Sequence, residues 1–294
     1  NISGKKILQI GKFSFDASLN VAQNFNEIKE MDQRVLDAIN TEWSATTRPA
    51  SKSSTGYTNR IQVGNALGSI YGFRYKGVYQ YGYDYLENYQ KEHGLSATEY
   101  EAWINSQLAE GKTFPVVLGS DGKVLMTSQG HPQHLVYNYS NGSQTYVFRG
   151  GDAIYEDINN DGNIDALDIV YLGSSLPKLT GGFGFNFHYD RWKLNAQFNY
   201  RIGNKVLNLA RLDAEAMINN NNQSQAVNYR WRKEGDVTSI PRAMYGTTSN
   251  YNTQISDRFV EDGSFLRLNY LQLSYGFDPK QIKKALGISG LRFY

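Results

Sequence analysis

The chain has 294 residues, 40% of them hydrophobic, with a formal net charge of +2 and a mean hydropathy of -0.54. That balance carries no nucleic-acid footprint, and no apolar run approaches the ~18 residues that a membrane helix needs. The lack of Cys excludes disulfides and thiol chemistry and suits an oxidising envelope compartment. Aromatics are the anomaly: 22 Tyr and 14 Phe stand beside 28 Gly and only 6 Pro, which describes long β-strands joined by polar loops. The length fits one large β domain or two ordinary ones. Asn1-Ile-Ser-Gly-Lys-Lys6 has neither an initiator Met nor a following apolar core, so no signal peptide is expected there.

Near the start, Phe13, Phe15, Ala17, Leu19 and Val21 alternate with Ser14, Asp16, Ser18 and Asn20, the period of a two-faced strand. Residues 84–112 read as helical, with Ser96 and Glu99 forming a capping box before Tyr100, Trp103, Ile104 and Leu108. Residues 113–148 return to β character, with turns at Ser120-Asp121-Gly122 and Ser140-Asn141-Gly142. His131-Pro-Gln-His134 is the one closely spaced pair among the four histidines, His93 and His188 being the others. A His-x-x-His pair without a third ligand nearby is read as polar loop, not as zinc.

Asp157 to Asp168 is the most informative stretch. Asp157, Asn159, Asp161, Asn163, Asp165 and Asp168 fall at positions 1, 3, 5, 7, 9 and 12 of a twelve-residue loop, with Gly162 at position 6. Calcium takes six to eight hard oxygen ligands, and a short loop supplies them only by curling round the ion. Asp157, Asn159 and Asp161 would point inward, Asn163 would offer its carbonyl, Asp165 would bind directly or through water, and Asp168 would close the shell. The departure from the EF-hand pattern is Asp168 in place of a bidentate Glu. In this the loop resembles the calcium loops of dockerin-type repeats, in a single copy. The bland alternative is a solvated Asx-rich turn. A bound ion here would pin a loop and perform no chemistry.

The next stretch reads as a hairpin over 182–202. Phe183, Phe185, Phe187 and Tyr189 share one face; Trp192, Leu194, Ala196, Phe198, Tyr200 and Ile202 continue it beyond a tight Asp190-Arg191 turn. The opposite face carries Asn186, His188, Lys193, Asn195, Gln197, Asn199 and Arg201. Eleven unbroken residues are about what a tilted strand needs to cross a bilayer. Alternation alone is blind to which face meets water: a soluble sandwich turns the apolar side inward, a barrel turns it to lipid. Residues 204–229 are expected to hold a short helix, Leu207 to Ile218, before the polar tract Asn219 to Asn222. In the last strong strand, Leu266, Leu268 and Tyr270 share a parity that Leu271, Leu273, Tyr275 and Phe277 break, the mark of a β-bulge near Tyr270 or of burial on both faces.

These runs together resemble the C-terminal part of SusC/RagA-type TonB-dependent outer-membrane transporters. The resemblance is collinear over nearly the whole chain. It is carried by Gly64 to Tyr79, the Asp157–Asp168 loop, Leu172 to Lys178, Gly181-Gly182, Tyr200 to Val206, Trp231 to Asp236 and Asp257 to Leu268. It implies an all-β fold: a partial antiparallel transmembrane β-barrel, the C-terminal strands of a twenty-two-stranded one, with long extracellular loops holding short helices. It also implies that 1–294 belongs to a single barrel domain, with the plug, TonB box and N-terminal extension outside this chain. Function would then be import of oligosaccharides or peptides across the outer membrane of a Gram-negative, Bacteroidetes-like cell. A SusD-like lipoprotein and TonB would be partners, and lipid would be the solvent of the wall.

The competing reading is a soluble, calcium-stabilised, β-rich glycan-binding module, with Trp43, Trp103 or Trp231 stacking on sugars. Against that role, Trp103 fits the apolar side of its helix and Trp231 a membrane-interface belt. Catalysis is not expected. Glu261-Asp262 beside Gly263 reads as a solvated turn, and there is no nucleophile elbow, phosphate loop or HExxH.

Overall fold

The computed structural model describes residues 2–32, 34, 63–137, 146–245 and 251–294. The chain divides into two compact units, one of Asn1–Glu27, Ser174–Val206 and Asp262–Tyr294, the other of Ile28–Gly173 and Leu207–Glu261.

The first unit is a six-stranded antiparallel sheet. Its strands are β1 (Ile2–Ile10), β2 (Phe13–Ala22), β3 (Leu179–Tyr189), β4 (Trp192–Ile202), β5 (Phe265–Gly276) and β6 (Arg292–Phe293). Each pairs with the next, so the sheet is a meander, open at both edges and not closed into a barrel among the described residues. Gly11-Lys12 and Asp190-Arg191 close the β1–β2 and β3–β4 hairpins at one end, where Ile10 pairs with Phe13 and Tyr189 with Trp192. The expected two-residue turn is there, with Asp190 at a positive φ of 51°. At this same end a helix, Pro279–Leu286, sits in the link from β5 to β6. Both long insertions, 23–178 and 203–264, leave from the opposite end, where Thr180 pairs with Ala22 and Arg201 with Phe265.

The parity slip in β5 is a bulge. Gln197 faces Tyr270 and the next residue, Phe198, faces Leu268, which leaves Asn269 without an opposite number. One extra residue returns the leucines on either side of it to a common face. Gly181 is needed for a different reason. A Cβ there would collide with the Asn20 carbonyl and the Tyr200 ring, which crosses Gly181 so that its hydroxyl donates to Asn20 O at 3.2 Å.

The second unit has an ordinary interior. Tyr71, Phe73, Phe148, Tyr155, Ile164, Ile255 and Phe259 are fully or almost fully buried in its largest cluster. The helical expectation over 84–112 resolves into two helices, Tyr83–His93 and Ala97–Ala109, separated at Gly94 in the left-handed conformation. The Ser96–Glu99 capping box forms, with Ser96 N donating to Glu99 Oε2 at 2.9 Å. Leu86, Tyr100, Ile104 and Phe114 make a second cluster beneath these helices. The helix expected at 207–218 is shorter, Leu209–Glu215: Asn208 caps its start by accepting from Arg211 N at 2.9 Å, and Met217 at φ 52° breaks it just past its end. The Ser120-Asp-Gly122 turn closes through Gly122 N to Gly119 O at 2.9 Å, whereas Ser140-Asn-Gly142 lies outside the described residues.

Two buried carboxylates tie this unit together. Asp152, with no exposed surface, accepts from Arg242 Nε at 2.7 Å, Tyr146 Oη at 2.5 Å and Arg149 N at 2.9 Å. Glu215 pairs with Arg211 at 2.8 Å and with the buried Arg258. A carboxylate taken from water this completely persists only with partners of this kind.

Candidate functional site

The sheet register sorts side chains onto two faces without exception across β2 to β5. Leu19, Phe183 and Phe198 line up across one face, as do Ala17, Phe185, Ala196 and Leu271. The rings interlock: Phe183 and Phe198 stack at 4.7 Å and Phe15 meets Phe187 at 4.6 Å. No layer covers them. Leu266 is 63% exposed, Leu271 60% and Leu273 54%. A water-soluble β-sandwich buries this face under a second sheet; among the described residues of this unit there is none.

The other face is mainly polar, with Ile7 and Phe265 among the exceptions. Asn186 Nδ2 donates to Asp16 Oδ1 at 3.0 Å, Lys5 pairs with Asp16 at 3.4 Å, and Asn20 Oδ1 accepts from Gly182 N at 2.6 Å. Lys193, Asn195, Gln197, Asn199 and Arg201 extend it along β4, opposite Ser274, Gln272, Tyr270, Arg267 and Phe265. At the short-turn end, aromatics gather: Trp192 on Tyr275 at 4.7 Å, Tyr275 on Phe277 at 5.0 Å, Phe277 on Phe293 at 5.5 Å.

The Asp157–Asp168 loop belongs to the second unit. Its carboxylates turn inward onto backbone amides. Asp157 accepts from Gly162 N at 2.8 Å and from Asp161 N at 3.2 Å, and Asp161 accepts from Asn163 N at 2.8 Å. Asn159 Nδ2 donates to Asp161 Oδ2 at 2.9 Å, and Asp165 Oδ1 accepts from Leu167 N at 2.7 Å. Asp168, fully buried, spans the loop, accepting from Ile158 N at 2.8 Å and Asp165 N at 2.9 Å. Burial, and secondarily the charges of Asp157 and Asp165, push its carboxyl up to about 6 against the pull of those two amides. Gly162 has φ 83°, and a Cβ on it would press into Val117 at 2.9 Å. The following Asn163-Ile164 pair runs parallel to Val136-Tyr137, which stitches the loop to the core. The six residues singled out from the sequence are thus one local constellation. Among the described residues, no group of three or more His, Cys, Asp or Glu side chains stands in a metal-holding arrangement.

His134 lies against Tyr83, ring centres 3.6 Å apart, and burial lowers its pKa. Trp103 stacks on Tyr89 at 3.8 Å, on the apolar side of its helix, as read from the sequence. Trp231 is held within its own unit. Its indole N–H donates to Gln80 O at 3.1 Å, and its ring occupies the space a Cβ on Gly151 would need. Trp43 lies outside the described residues.

No family model matches the chain. Three curated relatives from Formosa agariphila are TonB-dependent receptors. Receptor P39 is 26% identical over 93% of this chain, receptor P3 24% identical over 81%, and receptor P26 36% identical over 48%. The chain spans about a quarter or less of their lengths: 23%, 18% and 14%. Among solved structures, the RagAB peptide transporter matches 99% of the chain and 24% of its own, with 18% identity and a TM-score of 0.55. The RagAB peptide importer in the open-open state gives 16% identity and a TM-score of 0.54 over 99% of the chain. These likenesses bear out the resemblance to SusC/RagA-type TonB-dependent receptors, with the chain as a segment of that larger architecture.

Proposed function

We propose that the chain supplies wall strands and long loops to an outer-membrane TonB-dependent nutrient importer. The observation that carries this reading is the exposed apolar face of β2 to β5, in strict register with a polar face behind it. In a transmembrane barrel the first meets lipid and the second lines a watery lumen. Short turns mark the periplasmic side of such barrels, and long loops the extracellular side. By that rule Asp190-Arg191 faces inward to the cell, and the insertions 23–178 and 203–264 face outward. Edges open at β1 and β6 are intolerable in hydrocarbon, so further strands of the barrel complete them.

In this reading the loops meet the solute, an oligosaccharide or a peptide, and a SusD-like lipoprotein, while TonB delivers energy through parts of the protein beyond this segment. Similarity to transporters and receptors supports a non-catalytic role. The Asp157–Asp168 loop would hold Ca2+ as a structural ion. To do so, Asp157, Asp161 and Asp168 must trade amide hydrogen bonds for coordination, and the ion would relieve the crowding of negative charge around Asp168. The reading is tested with the full-length protein in lipid vesicles. Labels on Leu266 and Leu271 should be reached by a lipid-soluble quencher, and labels on Arg267 and Gln272 by a water-soluble one. The reverse assignment would overturn it.

A further inference from the structure

The link from β5 to β6 holds a feature the wall itself does not require. A hairpin at this end of the sheet needs only two residues, as Gly11-Lys12 and Asp190-Arg191 show, yet here the chain builds a helix, Pro279–Leu286. Its ends are well defined: Asp278 accepts from Lys280 N at 2.9 Å, Pro279 opens the first turn, and Gly287 closes it in the left-handed conformation. The helix is strongly amphipathic. Ile282 alone is buried, while Ala285, Leu286 (61% exposed) and Ile288 are left open on the apolar side. Lys280, Lys283 and Lys284 share the opposite side.

Charge separates cleanly here. The acidic groups nearby are already matched inside the unit: Asp278 to Arg191 at 2.7 Å and Asp190 to Lys12 at 3.2 Å. Lys280, Lys283, Lys284 and Arg292 are exposed, and among the described residues none has an ion-pair partner. Where the helix begins, the aromatic cluster of Trp192, Tyr275, Phe277 and Phe293 ends the apolar face of the sheet. Leu286 and Ile288 thus stand exposed at the same end of the sheet as that cluster.

We propose that this helix is an interfacial anchor for the anionic phospholipid of the periplasmic leaflet, with Lys280, Lys283 and Lys284 on headgroup phosphates and Leu286 and Ile288 in the acyl boundary. The inference rests on the lipid reading of the sheet. The physics is that of any basic amphipathic helix: apolar area supplies depth, and each lysine near an anionic surface adds attraction. The helix fixes how deep the barrel sits and selects acidic headgroups around its inner rim.

The test uses the full-length protein in phosphatidylcholine vesicles, with and without phosphatidylglycerol. Spin labels are attached at Leu286→Cys and, as internal reference, at Leu271→Cys, and their accessibility to oxygen and to a nickel chelate is compared. Oxygen-dominated accessibility is expected at 271 in either lipid. At 286 it is expected to be intermediate and to move toward the nickel chelate when phosphatidylglycerol is omitted. Lys280→Gln, Lys283→Gln and Lys284→Gln should each weaken phosphatidylglycerol retention about fivefold. A label at 286 open to the nickel chelate in both lipids, with 271 still in hydrocarbon, overturns the anchor and leaves the wall standing. A lipid-exposed 286 indifferent to phosphatidylglycerol and to the lysine substitutions overturns headgroup recognition. Nickel-chelate access at both positions overturns the wall assignment and the anchor with it.

Discussion

The two units of this chain spend the same kinds of residue in opposite ways. In Ile28–Gly173 and Leu207–Glu261, rings such as Phe73, Tyr100 and Phe148 are sealed away, and all three hydrophobic core clusters lie there. In the six-stranded sheet, leucines and aromatics stand open and the described residues form no core cluster; only small or isolated side chains such as Ala196 and Ser274 are buried. A polypeptide made for one solvent has one rule for where Leu goes. Here there are two rules, as the proposed reading, with one part in water and one in lipid, would require.

Breaking the buried ion pair tests the unit with the ordinary core hardest. Arg242→Met leaves the enclosed Asp152 with Tyr146, the Arg149 amide and Asn252 but no cation, and should cost about 3–5 kcal/mol. Limited proteolysis should then cut within 146–245 at protease concentrations that leave the wild type intact, while the strands of the sheet remain protected. Next comes the wall. Leu271→Arg should destabilise the reconstituted protein by about 2–4 kcal/mol if its neighbours are acyl chains, against no more than about 0.5 kcal/mol for Gln272→Arg next to it. Urea titration in lipid vesicles separates the two, and equal effects would erase the contrast between the faces. Gly162→Ala should cost about 1–3 kcal/mol, since it combines a positive φ with a clash on Val117.

Calcium sharpens the comparison further, because it should touch one unit only. At tenfold excess over its dissociation constant, the ion should slow amide exchange at Val136, which donates to Gly162 O and pins the loop, by about tenfold, or ~1.4 kcal/mol. The amides of β3 and β4 should be unaffected, and Asp161→Ala should abolish the response. Smallest of all is the exposed Lys5–Asp16 pair on the polar face: Lys5→Met should change stability by no more than about 1 kcal/mol. A thermal melt resolves whether it does.

How much of this was legible in the sequence depended on whether a local rule sufficed. Strict alternation located β2, β3 and β4 to within a few residues, and the tight Asp190-Arg191 turn fixed the register of β3 on β4. The slip of parity near Tyr270 left a bulge and burial on both faces equally open, and the pairing to β4 decides for the bulge. β1 was not read, for a reason visible in its side chains: Lys6 and Gly4 fall on the face that Leu8 and Ile10 share, and Ile7 falls on the polar one. Its partner β2 dictates the strand, not its own pattern. The Pro279–Leu286 helix was missed although Asp278, Pro279 and Gly287 punctuate it openly; eight residues are too few for periodicity to announce. That Asp157 to Asp168 gather in one loop was legible because their spacing is local. The Asp152–Arg242 and Glu215–Arg258 pairs were not, since they join residues 90 and 43 positions apart.

Asn269 has one more implication. Each strand of a two-faced sheet counts in twos, so a single inserted codon ought to turn half a strand inside out, exchanging its apolar and polar faces. The unpaired residue at 269 absorbs the odd count. Excising it should leave Leu266 and Leu271 where they are, in an unbroken ladder, whereas a second insertion beside it would need a second kink. Tolerance to insertions and deletions in this wall is therefore a property of where backbone can buckle.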